Sequence, residues 1–368
     1  MERLHAHVAR IVTATIAAGQ TPGAVVLVGR GHDVLLHEAY GQRMVQPEPR
    51  PMLPDTRFDM ASVTKPFATA TVVMQLVEQG EVRLGQPISH WFPGFDSAIT
   101  IRHLLTHSSG LKPYRDYLHE WGDTVPPAQR RRRVIADIAG RPLDYVTGQG
   151  FAYSCLNFVV LASLVQCVSG LPLDTYFRRY IAGPLGLRDT RFHRAGAMNH
   201  ATTRLQRCAA TEALPEGVLC GIVHDQIARY LGGVGGNAGL FSTAADLSRF
   251  MRMILHGGEL DGVRILAKKT VRAMISPGLD LGRLQRGLGW DLNSTYSPSV
   301  RGKHFPRAHG DVPGSFGHTG FTGTSVWADP TSRVYLIILT NRVHCGREAS
   351  VMALRQRLAN AVGKRLLT

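Results

Sequence analysis

The chain has 368 residues, of which 44% are hydrophobic and 19% charged, and it carries a formal net charge of +15. That length and apolar content exceed one small core and suit two packed subdomains. Apart from Arg130 to Arg133, read as a solvated helix face, the basic residues are dispersed and not interleaved with aromatics, which argues against a nucleic-acid partner.

In chain order, Leu4, Val8, Ile11, Val12 and Ile16 predict an amphipathic N-terminal helix, followed by strands Ala24 to Val28 and Val34 to Glu38 around Gly31-His32-Asp33. From Ser62 to Gln79 the apolar positions Phe67, Val72, Val73, Leu76 and Val77 predict a helix that Gly80 stops. Pro66 in its first turn removes only an amide with no intrahelical partner. Phe151 to Phe158 opens a second apolar helix through Val160, Leu161, Leu164 and Val165, with Tyr153 at its start. Phe316 to Thr324 then leads into strand Ser325 to Ala328, a turn at Asp329-Pro330, a strand through Arg333 to Leu339, and a helix near Arg347 to Leu367. The pattern predicts an α/β fold of the α+β type. Residues 1–60 and 235–368 form an antiparallel sheet flanked by N- and C-terminal helices, residues 61–234 are an inserted, mainly helical subdomain, and the site lies in the groove between them.

The chemistry concentrates first in Ser62-Val63-Thr64-Lys65. The chain has only Lys65, Lys112, Lys268, Lys269, Lys303 and Lys364, so an S-x-x-K at a helix mouth stands out. Positions i and i+3 share a helix face, which brings the amine to the Ser62 hydroxyl, and the unpaired amides there favour negative charge on that oxygen. The plain alternative is a Ser N-cap followed by a surface lysine. His103 and His107 are four apart, yet H-E-x-x-H is absent and no cysteine pair has zinc spacing, so neither a metal nor a cofactor is expected. His224-Asp225 and the glycine-rich 232–239 stretch read as a loop lining the site, since no phosphate-binding glycine pattern accompanies them. Five cysteines, an odd number at irregular spacing, imply free thiols and a cytoplasmic setting. No signal peptide is read at the N-terminus, and no segment reaches the ~18 to 20 apolar residues of a membrane span.

Taken together, Ser62-Val63-Thr64-Lys65, Tyr153-Ser154-Cys155 and His318-Thr319-Gly320 resemble, in order, the S-x-x-K, Y-x-N and H-T-G elements of the serine β-lactamase and penicillin-binding-protein superfamily. The resemblance is to the branch of class C enzymes, D-alanyl-D-alanine peptidases and esterases. Ile101 to Leu111, Gly183 to Thr190, Val223-His224-Asp225, Gly235 to Thr243 and Leu339 to His344 extend it over nearly the whole chain, and are similar to a subgroup containing muropeptide-recycling amidases.

The resemblance implies a cofactor-free serine hydrolase acting on a small ester or amide. Ser62 is the nucleophile, Lys65 its charge neighbour, and either Tyr153 or a deprotonated Lys65 the base, with the Lys65 ammonium favouring the Tyr153 phenolate. The backbone N–H groups of Ser62 and Phe321 form the oxyanion hole. Thr319 and Gly320 contact substrate, with Gly320 leaving room for it along the strand. His318, in place of a lysine, shuttles protons or steers a carboxylate and titrates near neutral pH. Cys155 departs from the pattern where the branch has Asn or Asp, which puts amide and β-lactam recognition in doubt because a thiol is a weak donor and acceptor. Asn157, two residues on, points elsewhere on the helix and is no substitute. A muropeptide amidase, a β-lactamase, an acyltransferase and a non-catalytic sensor on the same fold are the alternatives, and oligomeric state is not legible.

Overall fold

The computed structural model describes residues 2–194, 207–295, 297–308 and 313–367. Strands β1 (Gly23–Arg30) and β2 (Asp33–Met44) form a hairpin, β2 carries the short edge strand β3 (Arg50–Pro51), and β1 pairs on its other side with the last strand, β9 (Val334–Thr340). The sheet continues from β9 through β8 (Ser325–Asp329), β7 (Phe316–Thr319), β6 (Asp291–Asn293), β5 (Gln285–Arg286) and β4 (Leu279–Asp280). Every pairing is antiparallel. The two ends of the chain therefore meet in the middle of one sheet, as the sequence pattern predicts.

Both faces of the sheet are covered, which is why β1 reads as an unbroken apolar run. Val25 and Leu27 point into the larger core, towards the helical region, while Ala24, Val26 and Val28 point into a second core. That second core is closed by Leu4, Val8, Ile11 and Val12 of α1 (Glu2–Ala17) and by Leu354, Leu358 and Val362 of α5 (Met352–Leu366). The register His318↔Val326↔Ile337↔Leu27 places all four side chains on the face of the larger core. One residue earlier, Gly317 leaves the space that the Trp327 ring fills: a Cβ there would lie 2.3 Å from a ring carbon.

Helices α2 (Thr71–Glu78), α3 (Cys155–Ser169) and α4 (Ala244–Leu255) build the larger core. From Leu156 to Val165 every residue of α3 is buried, the mark of a helix enclosed on all sides. No single described helix is long and apolar enough to cross a membrane.

Three small sheets among the described residues lie outside the predicted elements: Phe58–Asp59 and Arg191–Phe192 flank Leu240–Ser242, Ala210–Leu214 pairs with Gly217–Cys220, and Glu259–Leu260 pairs with Val263–Arg264. Strands of two to five residues are too short for a sequence period to emerge. The arginine run lies on the helix Pro127–Ala139 and is not the solvated face expected of it. Arg130 and Arg131 reach across to the carbonyls of Tyr230 and Val234 and brace the loop that follows, leaving only Arg132 and Arg133 exposed.

Candidate active site

The expected helix from Ser62 to Gln79 is divided into a 3-10 turn at Ala61–Val63, a π-helical stretch at Lys65–Ala70, and α2. Pro66 brings no N–H to the wide turn, and the Thr71 hydroxyl donates to its carbonyl at 2.8 Å. Ala61 takes a left-handed φ of +46°, unusual for a residue with a side chain. Asp59 holds it there, with Oδ1 accepting the Ala61 N–H at 2.8 Å and Oδ2 accepting the His224 N–H at 2.7 Å. The nucleophile turn is thus a strained bend fixed by a buried carboxylate.

Lys65 is fully buried, and its three donors are spoken for. Nζ donates to Ser62 Oγ at 2.8 Å and to the Asn237 carbonyl at 2.9 Å, and lies 3.6 Å from Cys155 Sγ. Burial works against the ammonium, but Cys155, Tyr153 and Asp225 together hold its pKa above the usual lysine value. Asn237 is reached because Gly236 lies tight against α3, where a Cβ would be 2.5 Å from the Phe158 carbonyl. Its side-chain amide donates to Asp225 Oδ1 at 3.0 Å.

Tyr153 stands one residue before Ser154, the N-cap of α3. Lys65 and Ser62 both act on its hydroxyl in the direction that favours ionisation, and Lys65 Nζ is 5.0 Å from the ring centroid. Burial raises the phenol's pKa and outweighs the opposing pull of Lys65. The resting site accordingly holds a neutral phenol beside the ammonium, not the phenolate expected from charge pairing alone.

His318 lies beneath this group, its ring centroid 6.0 Å from that of Tyr153 and Nδ1 2.8 Å from the Thr319 carbonyl. Burial, then the cations of Arg286 and Lys65, push its pKa well below the ordinary histidine value. It is therefore a neutral ring at physiological pH. This corrects the expectation that it titrates near neutrality, and a neutral ring steers no carboxylate by charge. Gly320 also differs from expectation. A Cβ there would meet Thr324 Oγ1 at 2.2 Å and the Met60 carbonyl at 2.5 Å, so the glycine lets the β7–β8 turn dock on the nucleophile turn, and substrate room is not its cause. Thr322 and Thr324 complete that docking by donating to the carbonyls of Asp59 (2.8 Å) and Met60 (3.0 Å).

Phe321 follows, and among the described residues no acceptor takes its N–H. Its half-exposed ring sits between the His224 ring, 5.5 Å away, and the Arg342 guanidinium, 4.6 Å away. Ser62, Tyr153, Cys155, Thr319, Gly320 and Phe321 open on one cavity of about 640 Å³, whose outer wall includes Tyr114, His224, Asp225, Arg342 and Met352. A hydroxyl bonded to an ammonium, a phenol beside them, and a backbone donor with no acceptor among the described residues, gathered around one cavity, are the parts of a serine acyl-transfer site.

The family model described as "Beta-lactamase" matches residues 8–361. The chain belongs to the beta-lactamase family. An N-acetylmuramyl-L-alanine amidase of Bacillus subtilis (strain 168) is 30% identical over 366 residues, covering 91% of this chain and 80% of the relative. Among solved structures, EstCE1, a hydrolase with promiscuous acyltransferase activity, superposes with a TM-score of 0.74 at 23% identity over 98% of each chain. The octameric penicillin-binding protein homologue from Pyrococcus abyssi gives 0.73 at 21% identity, covering 96% of this chain and 76% of that one. As a member of the beta-lactamase family the chain is a serine hydrolase that cleaves an ester or amide bond through an acyl-serine.

Within this beta-lactamase fold Cys155 occupies the position beside Lys65 where the resemblance expects an amide or carboxylate. The ammonium draws its pKa down, but burial dominates and the thiol is raised above its usual value, so it is no second nucleophile. Asn157 is occupied, its Oδ1 accepting from Ser109 Oγ at 2.6 Å. Asp59 carries no signal in the sequence, His107 stands out there only as half of a histidine pair four apart, and Asn237 only as part of a glycine-rich loop lining the site. The glycine cluster around Asn237 signals a need for close backbone approach. Asp59 and His107 act through partners far away in sequence. Among the described residues no group of three or more His, Cys, Asp or Glu is placed to hold a metal.

Proposed function

We propose that this serine hydrolase acts on small esters or on the lactoyl–peptide amide of peptidoglycan fragments in preference to β-lactams, with Ser62 as nucleophile, the Lys65–Tyr153 pair as its base and acid, and the Ser62 and Phe321 amides as the oxyanion hole. The carrying observation is the bond from Lys65 Nζ to Ser62 Oγ at 2.8 Å, with the Tyr153 ring centroid 5.0 Å from the same nitrogen. The amidase relative supports the amide substrate, and Cys155 supports the preference, since a thiol beside Lys65 is poorly suited to an acyl-amide side chain.

In the mechanism the Lys65–Tyr153 pair first gives up one proton. Because both groups sit above their ordinary pKa values, the competent form grows as pH rises. The pair then takes the Ser62 proton as Oγ attacks the acyl carbon, the carbonyl electrons move onto the oxygen facing the two amides, and collapse expels the leaving group, which receives that proton. Water repeats the sequence on the acyl-serine.

The test is labelling of Ser62 by a fluorophosphonate and its loss in Ser62→Ala, followed by turnover of p-nitrophenyl esters, a chromogenic cephalosporin and a muramoyl-peptide. An unlabelled wild type defeats the mechanism. A cephalosporin turned over faster than esters and muramoyl-peptide defeats the substrate preference.

A further inference from the structure

Arg355, in the second turn of α5, is 7% exposed and lines the cavity behind the β7–β8 turn. Its Nη2 donates to the Gly320 carbonyl at 3.2 Å and to the Thr324 carbonyl at 2.9 Å, and its Nε has no partner among the described residues. No described carboxylate pairs with it, and the charge that acts on it is another cation, Arg342. Burying an uncompensated guanidinium is costly, and bracing a turn needs only a neutral donor. A positive charge kept at this place calls for a use.

The Gly320 carbonyl and the Phe321 N–H belong to one peptide group. A cation on the carbonyl oxygen draws electron density along the amide towards that oxygen, leaving the N–H a stronger donor at its other end. We propose that Arg355 is a positioning residue for acyl transfer, its uncompensated charge polarising the Gly320–Phe321 peptide so that the Phe321 N–H binds the developing oxyanion more strongly. The inference rests on Phe321 being an oxyanion donor. It assigns to α5, a helix of the opposite layer, an electrostatic part in the reaction. The turn holds that peptide in place: the Gly323 N–H also donates to the Gly320 carbonyl at 3.1 Å, and the Thr324 carbonyl accepts both from Arg355 and from the Gly320 N–H at 2.7 Å. Burial lowers the arginine's pKa to about 9, which leaves it charged at neutral pH.

The test uses Arg355→Met, Arg355→Gln and Arg355→Lys in the full chain. An isotope-labelled acyl carbonyl is placed on Ser62 by a slowly deacylating aryl ester, and its stretching band is read by difference infrared spectroscopy, together with single-turnover acylation rates. Removing a whole oxyanion donor costs ~10²- to 10³-fold, so losing its polarisation in Arg355→Met should slow acylation by about 10-fold with KM changed by less than about 3-fold. The carbonyl band should move to higher wavenumber in Arg355→Met and Arg355→Gln and return towards the wild-type position in Arg355→Lys. An unmoved band in the neutral variants, or a Lys variant as impaired as the Met variant, overturns the proposal. Should Arg355→Met not fold, Arg355→Gln decides it, because it keeps a donor to the turn without the charge. A wild type that forms no adduct on Ser62 defeats the underlying site assignment, a result separate from an adduct whose band does not respond.

Discussion

His107 lies against the face of Tyr153, ring centroids 4.5 Å apart and tilted by 32°, and holds the chain on either side of it. The Ala152 N–H donates to the His107 carbonyl at 3.1 Å, and the Ser154 N–H donates to its Nδ1 at the same distance. To do this His107 adopts a left-handed φ of +60° at the end of the helix Ile101–Thr106. Its pKa is pushed well below the usual value by burial, then by Arg286 and Lys65, so Nδ1 remains free to accept. His107→Phe keeps the ring contact but orphans the Ser154 N–H, and should cost about 1–3 kcal/mol in urea unfolding with a clear fall in kcat. His107→Asn, which tolerates the left-handed region and offers an acceptor, should retain more activity than the Phe variant.

Lys65 serves Ser62, Asn237 and the Cys155 thiol from a single nitrogen. Lys65→Met should lower kcat/KM by on the order of 10³-fold or more with esters. Lys65→Arg should not restore it, since a planar guanidinium cannot aim its donors at the same three points. Steady-state kinetics on an activated ester check both.

Asp59 is wholly buried, and burial raises its pKa from 3.8 to about 6 despite the His224 and Ala61 amides, with Asp225 adding to the rise and Arg229 opposing it. Between those values the folded chain binds more protons than the unfolded one. This group's contribution therefore favours the fold at low pH and is lost as pH rises through about 6, a change of about 3 kcal/mol at most. Asp59→Asn should remove that slope, seen as a smaller difference in urea midpoint between acid and neutral pH than in wild type. It should also lower kcat, because its amide nitrogen turns a donor towards one of two backbone donors.

For Cys155, the raised pKa predicts slow alkylation by iodoacetamide, with exposed Cys167 modified first, as read by peptide mass spectrometry. Cys155→Asn puts an amide beside Lys65 and should raise turnover of a chromogenic cephalosporin relative to a p-nitrophenyl ester. An unchanged ratio would remove Cys155 from the account of specificity.

The strands β1 and β9, the helices α1, α3 and α5, and the positions of Ser62, Lys65, Tyr153 and the H-T-G element were legible in the sequence. Each rests on a local pattern: an unbroken apolar run bounded by turn residues, an apolar stretch of helical length, a proline at a helix mouth, a motif in order. The three-stranded stitch at Phe58–Asp59 was not, since its partners lie over a hundred residues away and each strand is too short to show a period.

What the sequence by itself determined was which groups the chain owns and in what order, and so the class of chemistry. Only the tertiary structure decided their state. Burial made Tyr153 a neutral phenol, His318 a neutral ring and Cys155 a protonated thiol, and contact between turns, not substrate, required Gly320 to be a glycine. The reason is that the cost of desolvating a charge, and the space left for a Cβ, are set by neighbours from other segments, and sequence spacing carries neither.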